Sequence, residues 1–358
     1  MSARPADAPP HVERPTGTSW ARWAVRVVPG VVALVVGVKV LAPRRSELSG
    51  AAAALGHLHP AWLAVAVLAE LGSLGAYAAL QRRLLSSGGV AIGATPIAGI
   101  TLAGYAIQNS FPGGPAWSAV FAFREFRRRG IDSVLAGWTM VVVAILSDVS
   151  LALLGLIGVV AAQRQAAGLD VVEVVVAVAA IVLAVTWALH RGLSSHRSQD
   201  VAVWFLRRWQ RVVRRPAGEP TELVRGALER LRSVRPSTAD WARAGTFALA
   251  NWVFDCACLA LAFGAVGAEV PWRGLLLAYG TGQLAANLPI TPGGLGVVEG
   301  SLSIALVLYG GAEASTVAAV LLYRIISFWA MLPVGWASWA GLRWAGRRAT
   351  PVLVEVAP

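Results

Sequence analysis

The sequence predicts an all-α integral membrane protein, a polytopic helix bundle with about six full spans and two re-entrant broken-helix hairpins in an inverted repeat. Three observations lead to this fold class. The chain of 358 residues is 56% hydrophobic and has a mean hydropathy of +0.62. Only 14% of its residues are charged, whereas soluble domains carry about 25%. Two apolar stretches are interrupted by Pro-Gly-Gly, at 112–114 and 292–294, where a helix cannot continue.

Six apolar runs are long enough to cross a bilayer, which takes roughly 20 helical residues. They lie at about 24–42, 60–80, 133–162, 171–189, 241–266 and 314–342. A signal peptide is the alternative for the first run, but Pro43-Arg44-Arg45 is a poor cleavage context. We therefore expect a disordered cytoplasmic tail at 1–22, a membrane domain at 23–345 and a second cytoplasmic tail at 346–358.

A basic polar insert at 191–240 interrupts the membrane domain. The stretch 191–243 holds twelve arginines against five acidic residues, and Trp204, Phe205, Leu206 and Trp209 interleave with the charges. This pattern fits an amphipathic helix on an anionic membrane surface, and a solvated cytoplasmic linker is the alternative. The net charge of +12 does not indicate nucleic acid, because the arginines cluster beside apolar spans.

The positions of the arginines predict how the chain crosses the cytoplasmic (inner) membrane. Arginines at 82–83, 124–129, 191–243 and 343–348 should all be cytoplasmic, as should both termini. The first broken segment, 96–123, then enters from the cytoplasm, and the second, 273–309, enters from outside. Inverted repeats with broken helices are typical of transporters, although two unrelated loops would also explain the repeated Pro-Gly-Gly.

The broken segments provide candidate residues for binding the anionic head group of a lipid. Each Pro-Gly-Gly starts a new helix inside the membrane, where free N–H groups and the positive end of the helix dipole attract an anion. Glycines let a phosphate approach the backbone closely. The candidate head-group residues are Asn109, Pro112, Gly113, Gly114, Arg124, Asn287, Pro292, Gly293, Gly294, Gly296, Glu299 and Arg324.

Ionisable residues inside apolar spans form a second group of candidates. Arg324 lies near the membrane midplane, where an unpaired charge costs about 2.5–3.5 kcal/mol on insertion scales. We expect it to pair with Glu299 first and Asp255 second, although Glu299 could simply complement the helix start that precedes it. Asp148, Asp255 and Glu70 complete an intramembrane charge network, for which helix packing is the alternative role.

Sequence motifs argue against metal, cofactor and catalytic chemistry. Cys256 and Cys258 lie in an apolar span with no second cysteine pair and no nearby histidine, so neither a zinc site nor a disulfide is expected. The sequence contains no H-E-x-x-H, D-D-x-x-D or phosphate-binding G-x-x-x-x-G-K-[ST] motif. We therefore expect a protein that is not an enzyme and has no cofactor, so any active transport would use an ion gradient or a partner.

Two motifs resemble a known family. Pro289-x-x-Pro292-Gly293-Gly294-Leu295-Gly296-x-x-Glu299, followed by Tyr323-Arg324-x-x-Ser327-x-Trp329, is similar to the membrane domain of lysylphosphatidylglycerol synthases. That domain also occurs alone in flippase-like membrane proteins. The similarity covers about 25–345, and the largest polar stretch, 191–243, is too short for the aminoacyl-transferase domain. Gly114-Pro115-Ala116-Trp117 departs from the family's first motif, which has a Gly-Glu pair.

The resemblance implies a flippase-like protein that binds and translocates an anionic phospholipid or a lipid-linked head group across the cytoplasmic membrane. A polyprenyl-phosphate lipid is the second candidate substrate. Two other functions stay open: an intramembrane role in polyprenyl-phosphate or lipid-linked glycan metabolism, and an assembly factor that recruits a partner through the basic insert. Further candidate partners are a second copy of the chain and a lipid-modifying enzyme.

Overall fold

The computed structural model describes residues 56, 58–111, 113–162, 225–226, 229–231, 233–286 and 291–348. Several predicted segments lie wholly or mostly outside the described residues: the spans 24–42 and 171–189, the tail 1–22, the tail 346–358 beyond residue 348, most of the basic insert, Pro112 and Asn287. The described helices are α1 (Pro60–Ser87), α2 (Ala94–Ser110), α3 (Gly114–Arg128), α4 (Ser133–Ala162), α5 (Thr238–Val266), α6 (Trp272–Ala286), α7 (Val297–Leu308), α8 (Glu313–Arg324) and α9 (Met331–Arg348).

Four helical segments are long and apolar enough to cross a membrane. They are α1, α4, α5 and the continuous segment Glu313–Gly346, with 28, 30, 29 and 34 residues. At 1.5 Å per residue, each exceeds a hydrocarbon core about 30 Å thick. These segments confirm the predicted spans 60–80, 133–162, 241–266 and 314–342, and they define a polytopic bundle of membrane helices.

Helices α1 and α5 lie antiparallel at the centre of the bundle. At one end the amide of His59 donates to the carbonyl of Ala265 over 2.8 Å, and at the other end Arg83 forms an ion pair with Asp240. Alanines on the facing surfaces are fully buried, including Ala66 and Ala262. Small side chains let membrane helices approach closely, so α1 and α5 pack against each other along most of their length.

Each broken segment packs on one long span. Helix α2 lies along α9, where a β-carbon at Gly335 would come within 2.4 Å of the Leu102 carbonyl oxygen. Helix α6 lies along α4, where a β-carbon at Gly158 would come within 2.5 Å of the Leu277 amide nitrogen. Glycine at both crossings allows the backbones to touch, so each hairpin is held by close packing.

The two broken segments begin and end at opposite ends of the bundle. Ile92, just before α2, accepts a 3.1 Å hydrogen bond from Nε of Arg82, which is near the end that carries the Arg83–Asp240 pair. The other hairpin, α6–α7, follows Gly267, which lies beside His59. The α2–α3 hairpin therefore has its open end, opposite the connecting turn, near the C-terminal end of α1. The α6–α7 hairpin has its open end near the N-terminal end of α1.

The loop before α4 is fixed by Asp132. Its carboxylate accepts hydrogen bonds from the amides of Val134 (2.9 Å) and Leu135 (3.2 Å), and it pairs with Nε of Arg230 at 3.0 Å. Partial burial opposes ionisation of this group, but the hydrogen bonds from Val134, Arg230 and Leu135 hold the pKa of Asp132 below its ordinary value of 3.8. Arg230 of the basic insert is thereby tied to the helix bundle.

The breaks lie where the sequence predicts them, but one irregular turn was not expected. The first segment is interrupted between α2 and α3, and the second between α6 and α7 by a 3₁₀ turn at Pro292–Gly294. The last predicted span, 314–342, contains a π-helical turn at Ile325–Trp329. Neither proline nor glycine occurs in that turn, so no breaker residue indicated it.

Candidate functional site

A cavity of about 370 Å³ lies between the two broken segments and the long spans. Its walls come from α1 to α6, α8, the π-helical turn and the connections inside both hairpins. Eight of the candidate residues line it: Glu70, Asn109, Gly113, Gly114, Asp148, Asp255, Gly293 and Arg324. The structure therefore brings candidates from both broken segments and from the charge network to a single polar space in the bundle.

The tips of the two broken segments touch each other. Gly293 adopts φ 59°, and a β-carbon there would lie 2.1 Å from Cε2 of Phe328 and 3.1 Å from the carbonyl oxygen of Asn109. A β-carbon at Gly114 would lie 1.7 Å from the carbonyl oxygen of Gln108. Packing against the Phe328 ring requires glycine at 293, and packing against the Gln108 backbone requires glycine at 114, in both cases independently of any ligand.

Arg324 forms the predicted ion pair with Glu299. Nε of Arg324 lies 2.6 Å from Oε1 of Glu299, and Nη2 donates to the Gly293 carbonyl over 2.9 Å. The guanidinium carbon lies 4.4 Å from the centre of the Phe328 ring. Only 7% of Arg324 is exposed, so this arginine holds the tip of the second hairpin to α8.

Glu299 also complements the helix start that precedes it. Its Oε2 atom accepts a 2.6 Å hydrogen bond from the amide of Gly296, the residue before α7. The ion pair and the capping role, which were alternatives from the sequence, therefore coexist in one carboxylate. As a result, the Glu299 carboxylate already occupies the position at the N-terminus of α7 that would attract an anion.

The N-terminus of α3 differs in this respect. The helix follows Gly113, at φ 65°, has Pro115 in its first turn and carries no acidic residue there. Gly113, Gly114 and Pro115 all line the cavity. The positive end of α3 therefore faces the cavity without a carboxylate in its first turn.

Asp255 is the centre of a hydrogen-bonded cluster that the sequence only partly indicated. Its Oδ2 accepts from the Tyr279 hydroxyl at 2.5 Å, the Tyr323 hydroxyl at 3.1 Å and the Gln283 amide at 3.1 Å. The buried side chain of Glu70 lines the same cavity as Asp255. The structure thus brings these two members of the predicted charge network to one space. We did not predict from the sequence that Tyr279 and Tyr323 donate hydrogen bonds to Asp255. Their positions inside apolar helices were the feature that could have indicated it.

Asp148 lines the cavity but stands apart from that cluster. No described residue donates a hydrogen bond to it, and its electrostatic neighbour is Tyr77 on α1. Arg324 instead pairs with Glu299 and donates to the Gly293 carbonyl. The cavity therefore has an unpaired carboxylate in one region and an arginine in another.

Besides Glu299, four further candidates lie outside the cavity lining. Arg124 is on the exposed face of α3, while Pro292, Gly294 and Gly296 belong to the break in the second hairpin without lining the cavity. The buried charge on α3 is instead Glu125, which pairs with Arg128 at 2.7 Å and Arg129 at 2.6 Å. Pro112 and Asn287 fall outside the described residues.

The π-helical turn adds a contact next to Arg324. Its Ser327 carbonyl accepts a 2.5 Å hydrogen bond from the hydroxyl of Tyr105 on α2. Such turns widen the hydrogen-bonding pattern of a helix locally and are frequent at functional sites. Because Arg324 immediately precedes it, the turn joins the first hairpin to the helix that supplies the cavity's arginine.

A bundle of apolar spans around a polar cavity at two helix breaks is that of a polytopic membrane protein, in which irregular backbone is sheltered by the protein. The chain belongs to the family of the lysylphosphatidylglycerol synthase TM region, whose family model matches residues 27–335. It is similar to a UPF0104 membrane protein of Methanothermobacter thermautotrophicus, at 23% identity over 330 residues, covering 88% of this chain and 94% of the relative. A second protein of that name from this organism is 34% identical over 89 residues, covering 24% and 26% of the two chains.

Proposed function

We propose that this protein binds the head group of an anionic phospholipid, or of another lipid-linked anion, in the cavity and moves it across the cytoplasmic membrane without changing it chemically. The observation that carries this proposal is the position of Arg324, a buried arginine that lines a polar cavity where two broken helices meet. Family membership supports a membrane-embedded role.

Arg324 retains hydrogen-bonding capacity for a ligand. Its Nε and Nη2 groups are used by Glu299 and Gly293. Among the described residues, none accepts a hydrogen bond from Nη1. Because guanidinium groups bind phosphate oxygens through charge-assisted hydrogen bonds, Nη1 is suited to hold a head-group phosphate that enters the cavity.

The start of α3 offers a second attraction for the same phosphate. Free N–H groups and the helix dipole favour an anion at a helix N-terminus, and no carboxylate in the first turn of α3 competes for that position. Gly113 and Gly114 line the cavity, and Gly113 has open space where a side chain would lie. The first repeat would thus supply the helix start, and the second would supply the arginine.

The size of the cavity fits a head group rather than a whole lipid. Ligand sites in proteins commonly measure about 300–1,000 Å³, and this cavity measures about 370 Å³. A diacyl lipid is much larger, so its chains would stay in the bilayer while the polar part passes through the protein. This arrangement removes the main cost of crossing, which is the exposure of a charged group to hydrocarbon.

The acidic residues of the cavity restrict which head groups fit best. Asp148 has no hydrogen-bond donor among the described residues, so it would repel a head group that is only negative. A head group with a phosphate and an amine would place the phosphate near Arg324 and the amine near Asp148. Asp148 therefore favours, among the anionic lipids, those whose head group also carries an amine.

The arrangement of the hairpins supports an inverted repeat with two re-entrant segments. They open at opposite ends of the bundle and touch at their tips, as in transporters that bind substrate near the midplane. With the arginine distribution of the sequence, the end that carries Arg83 is assigned to the cytoplasm. Both termini are then cytoplasmic.

Reconstitution into liposomes tests this proposal. Fluorescently labelled phosphatidylglycerol, phosphatidylethanolamine, a polyprenyl phosphate and neutral diacylglycerol would each be assayed by quenching of the outer leaflet. We expect transport of phosphate-bearing lipids, its loss in Arg324→Gln, and retention in Glu313→Gln, a carboxyl change on the exposed start of α8. Mass spectrometry should recover each lipid unchanged. Equal transport of diacylglycerol, or none of any phosphate-bearing lipid, would contradict the proposal.

A further inference from the structure

Part of the cavity lining is formed by polar side chains from the middle portions of three long spans. We name it the polar wall, and it consists of Ser73 and Tyr77 on α1, Ser147 and Asp148 on α4, and Asn251 on α5. Nδ2 of Asn251 donates to Oγ of Ser73 over 2.8 Å, and Nε1 of the neighbouring Trp252 donates to the Ser147 carbonyl over 2.8 Å. These contacts bring α1, α4 and α5 together at one level, halfway along each span.

Ser147 carries a buried hydroxyl group without a partner. Only 7% of the residue is exposed, and its Oγ makes no hydrogen bond within the described part of the chain. Other serines in the bundle bond to the carbonyl four positions earlier, as Ser150 does to Leu146 and Ser110 to Ala106, both over 2.7 Å. A buried polar group without a partner costs free energy. Because Ser147 lines the cavity, a group bound there can serve as the missing partner.

The other residues of the polar wall also keep unused hydrogen-bonding capacity. The Ser73 hydroxyl accepts from Asn251 but donates to no described residue, and Oδ1 of Asn251 accepts from none of them. The Tyr77 hydroxyl and the Asp148 carboxylate likewise form no hydrogen bond with the described residues. Three hydroxyl donors therefore lie in the same wall as two side-chain acceptors.

This mixture of donors and acceptors indicates which chemical groups the polar wall would bind. A phosphate group only accepts hydrogen bonds, so it would leave the acceptors of Asp148 and Asn251 unused. An ammonium group only donates, so it would leave the hydrogen atoms of the three hydroxyl groups unused. A hydroxyl group both donates and accepts. Neighbouring hydroxyl groups on one ligand are therefore the chemistry that matches the whole wall.

We propose that the polar wall is a subsite for a polyol, so that the lipid has a phosphate at Arg324 and neighbouring hydroxyl groups at the polar wall. This inference names the class of head group and rests on the proposed function. Arg324 and the polar wall line the same cavity of about 370 Å³, a size common for small ligands. Glycerol and a ring such as inositol share this chemistry. The carboxylate of Asp148 accepts from hydroxyl groups and amines alike, so an amine on the same head group is compatible with the subsite.

Lipid binding to the purified full chain in detergent tests the subsite. Phosphatidylglycerol and phosphatidylinositol would each be compared, by native mass spectrometry, with phosphatidylpropanol, which keeps the phosphate but has no head-group hydroxyl. We expect at least one polyol lipid to bind on the order of tenfold more tightly, because one net hydrogen bond contributes a factor of about five. Preference for one polyol lipid over the other would identify the head group as glycerol or a ring.

The two possible failures of this comparison have different meanings. Equal affinities for all three lipids would overturn the polyol subsite and leave the proposed function standing, because the phosphate would still be bound. Binding of none of the three lipids would overturn both. Water in the cavity, rather than a lipid, would then be the partner of Ser147.

A serine variant with a matched control tests the residues of the polar wall. Ser147→Ala should lower the preference for the polyol lipid about fivefold and leave both the affinity for phosphatidylpropanol and the resistance to unfolding unchanged, since its hydroxyl has no partner in the fold. Ser150→Ala is the control on the same helix, because Ser150 is equally buried but does not line the cavity. Thr139→Val is a second control, since the Thr139 hydroxyl is also unpartnered among the described residues but lies outside the cavity lining. An unchanged preference in Ser147→Ala, or an equal loss in either control, would overturn the assignment.

Discussion

Removal of either partner of the Arg324–Glu299 pair should destabilise the protein strongly, and removal of both should cost less than the sum. The two side chains are 8% and 19% exposed and their closest atoms are 2.6 Å apart. Breaking a buried pair typically costs about 3–5 kcal/mol, because one charge stays buried without its partner. We expect this range for Arg324→Met and for Glu299→Gln. The double variant should show a coupling energy of about 0.5–3 kcal/mol.

The assay is reversible unfolding in mixed micelles of mild detergent and dodecyl sulfate, with all four members of the cycle at one lipid composition. The control cycle uses Asp132→Asn and Arg230→Gln, since that pair is 39% exposed on both sides. Exposed pairs contribute about 0.2–1 kcal/mol, so the control should show little coupling. Additivity within about 0.5 kcal/mol for Arg324 and Glu299 would refute the conclusion that each side chain depends on the other.

Three further outcomes are expected. Gly293→Ala should destabilise the protein far more than Gly113→Ala in the same unfolding assay. Both glycines have positive φ, but of the two only Gly293 has atoms within 4 Å of the position that a β-carbon would take. Equal losses of stability would contradict this explanation. Because folding lowers the pKa of Asp132, the carboxylate stabilises the folded state fully above pH 3.8, and this stabilisation is lost as the pH falls through the pKa of the folded state. The Asp132→Asn variant should not show this loss. Parallel stability–pH profiles for the variant and the wild type would contradict the prediction. In a variant without the native cysteines, Ala268→Cys should react with an impermeant thiol reagent from outside and Ser87→Cys only from the cytoplasm; the reverse pattern would contradict the assigned orientation.

The helix breaks were predictable because proline and glycine act locally. A missing amide donor and the entropy of glycine disrupt a helix whatever surrounds it, so Pro292–Gly294 and the turn before α3 could be located from sequence alone. The Arg324–Glu299 pair was predictable for a different reason. A charge inside an apolar span needs a partner, and few acidic residues were available nearby.

The cluster around Asp255 was less predictable because it depends on tertiary packing. Its donors Tyr279, Gln283 and Tyr323 come from α6 and α8, and apolar runs give no information on how three helices rotate relative to each other. The assignment of Arg124 to the head-group site illustrates the same point. Ala122 lines the cavity, and a residue two positions further on lies about 200° around the helix. The structure accordingly places Arg124 on the opposite, exposed face of α3.

The π-helical turn at Ile325–Trp329 has a consequence for how related chains should be aligned. Such a turn amounts to one residue inserted into an otherwise regular helix, and one residue corresponds to a rotation of about 100°. Deleting a single residue from the turn would therefore rotate α9 and move Trp336 away from the Ser110 hydroxyl to which it now donates over 3.2 Å. Relatives that lack the turn should carry a one-residue gap here, and their α9 should present a different set of side chains to α2.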